Sequence, residues 1–200
     1  MKLKQTLVSA SLSWLLILGG CQNAPQAVID AAKEAVATVE SAEASRYAAE
    51  QFNAMQDSLE AAMAEIDAQN GKFALMRNYG RAQELLHSVV AMADSTKQAA
   101  IANKDVIRLE AEQLISQMQA QVVEARALVA KAPKGKEGRA ALEMIESEIG
   151  TVEVSLAEAS TAFNAGDFLN ARDKAKAGME KLQSIITELQ TAIAKSGGRS

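Results

Sequence analysis

The chain has 200 residues, 48% of them apolar but only 4% aromatic, and it carries a formal net charge of −4 with one cysteine and one histidine. That length suits one sizeable or elongated domain, and the acidic balance argues against nucleic acid as a partner. So few aromatic side chains imply a thin core assembled from long seams, and a lone cysteine leaves nothing for an internal disulfide.

Lys2 and Lys4 precede an apolar stretch from Thr6 to Leu18, too short and too early for an ordinary spanning helix, which marks residues 1–20 as a signal peptide. Leu18-Gly19-Gly20-Cys21 resembles the bacterial lipobox. The small residues Gly19 and Gly20 would admit the peptidase to the Gly20–Cys21 bond, and the Cys21 thiol would take a diacylglyceryl group. Gln22 and Asn23 follow in place of the aspartate that commonly retains such proteins in the inner membrane, so the outer membrane, facing the periplasm, is the expected site. A triacylated N-terminus holds a protein durably to a bilayer, because one chain is marginal and two or more are not. Cleavage removes Lys2 and Lys4, so 21 basic residues become 19 against 25 acidic ones and the net charge becomes −6. It also removes Trp14, the single tryptophan.

Past an acylated tether at 21–26, a helix is predicted over 27–69, where Gln69-Asn70-Gly71 supplies a stop. Its first half carries the stripe Ile29, Ala32, Val36, Val39. Its second half carries Phe52, Met55, Leu59, Ala62, Ile66 at alternating spacings of three and four. The two stripes lose phase near Glu43, which predicts a change of packing partner there. A second helix is expected over 74–132, with its start somewhere between Phe73 and Tyr79. Its stripe begins as Tyr79, Ala82, Leu86, Val89, Ala93 and resumes as Ile107, Ala111, Leu114, Met118, Val122, Ala125, Val129. Together these two helices make the first predicted hairpin, 27–132.

Pro133 and the glycines of 133–138 read as a linker. Two unbroken heptad seams follow, predicting helices over 139–164 and 167–195: Leu142, Ile145, Ile149, Val152, Leu156, Ala159, Phe163, then Phe168, Ala171, Ala175, Gly178, Leu182, Ile185, Leu189. Between them, Gly166 suits a left-handed helix cap and Asp167 an N-cap, so 139–195 is expected to form a second, locally folding hairpin. Residues 196–200 are expected to fray as a disordered tail. The predicted fold is therefore all-α: an elongated antiparallel helical bundle of coiled-coil-like hairpins.

The lipobox, the alanine-rich helices, the stretch Phe73-Ala74-Leu75-Met76-Arg77-Asn78-Tyr79-Gly80-Arg81-Ala82-Gln83-Glu84-Leu85-Leu86 and the turn Ala165-Gly166-Asp167-Phe168 resemble the helical bacterial lipoproteins that carry a domain of unknown function. The resemblance implies a place in the cell envelope and lends no catalytic or ligand residues.

Chemistry-bearing patterns are sparse. His87 sits beside the Leu86 stripe without a cysteine or second histidine to share a metal, which predicts surface rather than a ligand. Glu143, Glu146, Glu148, Glu153 and Glu158 surround a seam, as a solvated face does, whereas glycoside cleavage needs carboxylates opposed across a cleft. Gly178 within a seam points to close helix approach, with a docking notch as the sharper alternative. The sequence thus predicts no catalytic residues, metal or cofactor. It predicts acylation at Cys21 and no small-molecule substrate. Its partners would be the membrane, through the acyl chains, and a helical protein or a second copy of the chain. A structural or scaffolding lipoprotein is the leading expectation and a helical adaptor for a transport, secretion or outer-membrane assembly complex the next, with an enzyme on wall polymer or lipid a distant third. An exposed apolar stripe along the middle of the long helix would favour the adaptor.

Overall fold

A computed structural model describes residues 23–133 and 136–197. Cys21, the cleavage bond at Gly20 and the whole of the expected signal peptide lie outside the described residues, as do 198–200. The described residues form six α-helices and one 3₁₀ turn and contain no strand, so the protein is all-α. The helices are α1 (Gln26–Ser41), α2 (Ala44–Tyr47), α3 (Ala49–Asn70), α4 (Gly80–Lys131), α5 (Lys136–Asn164) and α6 (Phe168–Gly197), with the 3₁₀ turn at Ala74–Met76.

The helix expected over 27–69 is three pieces. Glu43 adopts a left-handed backbone at φ 58° and Ala48 a non-helical one at φ −143°. A left-handed non-glycine residue costs roughly 1–2 kcal/mol, and tertiary contacts of this corner offset that cost. Val39, Ala44, Tyr47 and Ala48 are buried, the Glu43 carboxylate pairs with both Lys104 and Arg46, and Asn103 Nδ2 donates to the Tyr47 carbonyl at 2.7 Å. The loss of phase near Glu43 is therefore a reversal of the chain, where a mere change of partner was expected.

Other boundaries shift less. The helix expected from 74 starts at Gly80, because 73–79 form a turn of their own. α5 begins at Lys136, inside the stretch read as linker, and α6 continues through Ser196 and Gly197, which were expected to fray.

Packing divides the chain into two units, and the division falls inside α4. The first unit contains 23–38 and 53–93. The chain leaves it at Thr38 and returns at Asn53, so α1 and α3 run in opposite directions within it. Bonds across the turn from Asn70 to Tyr79 make α3 and the start of α4 antiparallel as well. The beginnings of α1 and α4 and the end of α3 consequently share one end of this unit. Its buried residues are Ile29 and Ala32 of α1, Met55, Ala62 and Ile66 of α3, and Tyr79, Ala82, Leu86 and Val89, all members of the apolar stripes, together with Gln69, which is not; the stripe residues Val36, Leu59 and Ala93 are half-buried.

The second unit contains 39–52 and 94–197. Its main core joins three helices: Met118, Val122, Ala125 and Val129 of α4, Ile145, Ile149, Val152 and Ala159 of α5, and Ala175, Leu182, Ile185 and Leu189 of α6. The second hairpin thus shares its core with the C-terminal part of α4, where the sequence suggested a self-sufficient unit. Gly166, at φ 80°, closes α5 with the paired bonds of a Schellman cap, Asp167 N–H to Ala162 O at 2.9 Å and Gly166 N–H to Phe163 O at 3.0 Å. The Phe163 and Phe168 rings seal this turn with centroids 5.3 Å apart.

Candidate functional site

The turn between α3 and α4 is the most unusual surface of the first unit. Phe73, Leu75 and Met76 project from it with 85%, 89% and 72% of their surface exposed, which exceeds every other large apolar side chain described. Burying such side chains is the ordinary source of stability, so three neighbours left in water call for a partner or a lipid phase.

The turn is held in shape by polar bonds beneath it. Arg77 reaches back to the chain it has just left, donating through Nη2 to Asn70 O at 3.0 Å and through Nε to Lys72 O at 3.1 Å. The buried Gln69 accepts the Asn78 N–H at 2.9 Å, and the Tyr79 hydroxyl donates to Asn70 Oδ1 at 2.6 Å. Asn78 Oδ1 then accepts the Gly80 N–H at 2.9 Å and opens α4. These bonds satisfy the groups at the end of α3 that would otherwise lack partners, and they leave the apolar trio pointing outward on a convex tip. The tip is also basic: residues 68–83 include Lys72, Arg77 and Arg81 and no acidic residue, in a chain whose net charge is −4, although exposed Arg81 also pairs with Glu84 at 3.7 Å.

A second cluster surrounds the Glu43 corner. Arg46 pairs with Asp167 at the start of α6, and Lys104 pairs with Glu43 while lying 5.6 Å from the Tyr47 ring centroid and 6.0 Å from that of Phe168. The hydrogen bond from Arg46 holds the Asp167 carboxyl below the usual carboxylate range, and the Asn170 backbone N–H that Asp167 caps adds to the effect. These contacts tie the corner to α4 and to the α5–α6 turn, which is a structural clamp.

His87 is exposed on α4. Glu143, Glu146, Glu148 and Glu158 are exposed on α5. Glu158 accepts from Lys174 at 2.6 Å, and half-buried Glu153 takes two bonds from Arg126 at 2.9 and 3.0 Å that lower its pKa. Glu143 and Glu146 line a groove beside Arg126, Arg139 and Leu142. Both stand on the same helix, so they are not opposed across it. Gly178 is buried, and the Met118 side chain occupies the space above it, which is close helix approach. Met55 and Met118 are fully buried as their spacing predicted, whereas Met76 and Met144 are exposed. Among the described residues no helix is long and apolar enough to cross a membrane, and no group of three or more potential metal ligands assembles.

No family model, no curated protein and no solved structure matches the chain.

The tip was missed at the level of sequence because Phe73, Leu75 and Met76 follow no helical or strand period. The readable signal was compositional: three large apolar residues within four positions, flanked by Lys72 and Arg77.

Proposed function

We propose that the protein is a lipoprotein of the bacterial cell envelope, acylated on the Cys21 thiol and then cleaved at the Gly20–Cys21 bond, facing the periplasm from the outer membrane, and that its helical body serves as a scaffold. The basic n-region, the apolar stretch and Leu18-Gly19-Gly20-Cys21 support the anchor. The observation that carries the scaffold reading is α4, 52 residues long, which supplies Ala82, Leu86 and Val89 to one packed unit and Met118, Val122, Ala125 and Val129 to the other. A single 52-residue helix that contributes to the core of each unit suits spacing and holding other components. The likeness to helical lipoproteins with a domain of unknown function points the same way.

A second reading, an adaptor that docks on an envelope complex, is favoured by one observation. Ile101, Val106 and Leu109, in the middle of α4, are each at least half exposed and fall within one side of the helix. A photoreactive residue at Val106 in living cells separates the two. Cross-links between copies of the chain, or to several envelope components, support the scaffold. A single product with one foreign subunit supports the adaptor. Recovery of the protein from the soluble fraction overturns both.

A further inference from the structure

We propose that the α3–α4 tip, residues 72–77, enters the surface of the same bilayer that holds the acyl chains, giving the protein a second membrane contact selective for anionic lipid. Three observations converge on a lipid surface as the occupant. Phe73, Leu75 and Met76 are exposed together on a convex turn, a shape that inserts into a fluid apolar phase. Lys72 and Arg77 flank them, and Arg81 lies beyond with its side chain largely exposed although it also reaches Glu84 at 3.7 Å; with no acidic residue from 68 to 83, the tip complements anionic headgroups although the whole chain is acidic. The fold, moreover, sets the tip at the end of the first unit where α1 begins, and Gln26 is only five residues beyond Cys21.

The inference rests on Cys21 being acylated for its claim of a shared bilayer, but the tip itself can be tested without acylation. Acyl chains retain an N-terminus and leave the attached body free to swivel. A second contact at 72–77 fixes which way α1, α3 and the start of α4 stand on the membrane. The hydrogen-bonded base of the turn supports this use, since a pre-shaped tip loses little freedom on insertion.

The test uses the chain from Gln22 onward, which contains every described helix and no tryptophan. With Phe73→Trp as the sole fluorophore, vesicles containing phosphatidylglycerol should shift emission to shorter wavelength, and vesicles of phosphatidylcholine alone should shift it much less. In sedimentation with the anionic vesicles, Leu75→Asp should abolish binding. Lys72→Gln and Arg81→Gln should each weaken it roughly fivefold, the effect expected of one basic residue near an anionic surface. Val154→Asp, at an exposed apolar position on α5, should leave binding unchanged. Circular dichroism must show the same helicity for all variants. Absence of the emission shift, or sedimentation of Leu75→Asp like the parent, overturns the proposal, as does capture of a protein through the tip in place of vesicles. Acylation is read separately from the mass of the N-terminal peptide of the full-length protein made in bacteria. An acylated Cys21 with an inert tip removes this inference alone, and a binding tip with a free Cys21 thiol removes the anchor reading and with it the shared bilayer.

Discussion

Gly178 lies in the buried seam of α6 directly beneath Met118 of α4. A methyl group added there would stand 2.1 Å from Met118 Cε and 2.9 Å from its Sδ, with Val152 Cγ1 at 3.7 Å. Replacing a helical glycine by alanine stabilises by about 1 kcal/mol through backbone entropy. Here it also drives the thioether from a site where Met118 is fully buried, and overpacking of that kind costs about 1–3 kcal/mol. Gly178→Ala should therefore destabilise the protein by up to about 2 kcal/mol. Met118→Ala should cost about 2–5 kcal/mol by leaving a cavity. In that background the obstruction is gone, so Gly178→Ala should now stabilise by about 1 kcal/mol while filling part of the space. The sign reversal is the decisive feature, and it corresponds to a coupling of about 1–3 kcal/mol between the two positions. Urea melts of the four proteins of this cycle, followed by circular dichroism, measure it. If Gly178→Ala raises the midpoint equally in both backgrounds, Met118 does not pack over Gly178.

Three further predictions concern the second unit. Ile149→Asp puts an unpaired charge at a fully buried seam position and should cost several kcal/mol, whereas exposed Glu148→Ala should change stability by no more than about half a kcal/mol in the same urea melts. Asp167 and Glu153 are held below their ordinary pKa by Arg46 and Arg126, so the stability they contribute is present above about pH 4 and is lost as pH falls through their lowered values. Both pairs are about 40% exposed, so each should account for no more than about 1 kcal/mol, and Asp167→Asn with Glu153→Gln should flatten the acid limb of a thermal-melt series. At the left-handed Glu43, glycine relieves the backbone but forfeits the pairs with Lys104 and Arg46. Glu43→Gly should thus be nearly neutral in thermal melts, and Glu43→Val, which loses the pairs and worsens the strain, should cost about 1–3 kcal/mol.

How far the sequence reached depended on whether the responsible residues were local. The α5 and α6 seams were legible because a heptad of large apolar residues needs only itself to be recognised, and Gly166 and Asp167 announce their turn by backbone chemistry. The α4 stripe was read with a gap between Ala93 and Ile107. Thr96 and Ala100 are buried there and Asn103 bonds the Tyr47 carbonyl, so the stripe continues through residues that are small or polar. The reversal at 42–48 contains neither glycine nor proline. Its left-handed residue is a glutamate stabilised by Lys104, and its Arg46 is held by Asp167, partners 61 and 121 residues away that no local pattern reveals. The tip was hidden for the opposite reason: its residues obey no period because they pack against nothing in the chain.

Whether acyl chains on Cys21 hold the protein in the envelope is decided by mass spectrometry of the full-length chain recovered from bacterial membranes. The N-terminal peptide should begin at Cys21 and carry the mass of its acyl groups, and Cys21→Ser should abolish that peptide and leave an uncleaved or mislocalised precursor. A peptide that retains residues 1–20 with an unmodified Cys21 thiol contradicts this anchoring.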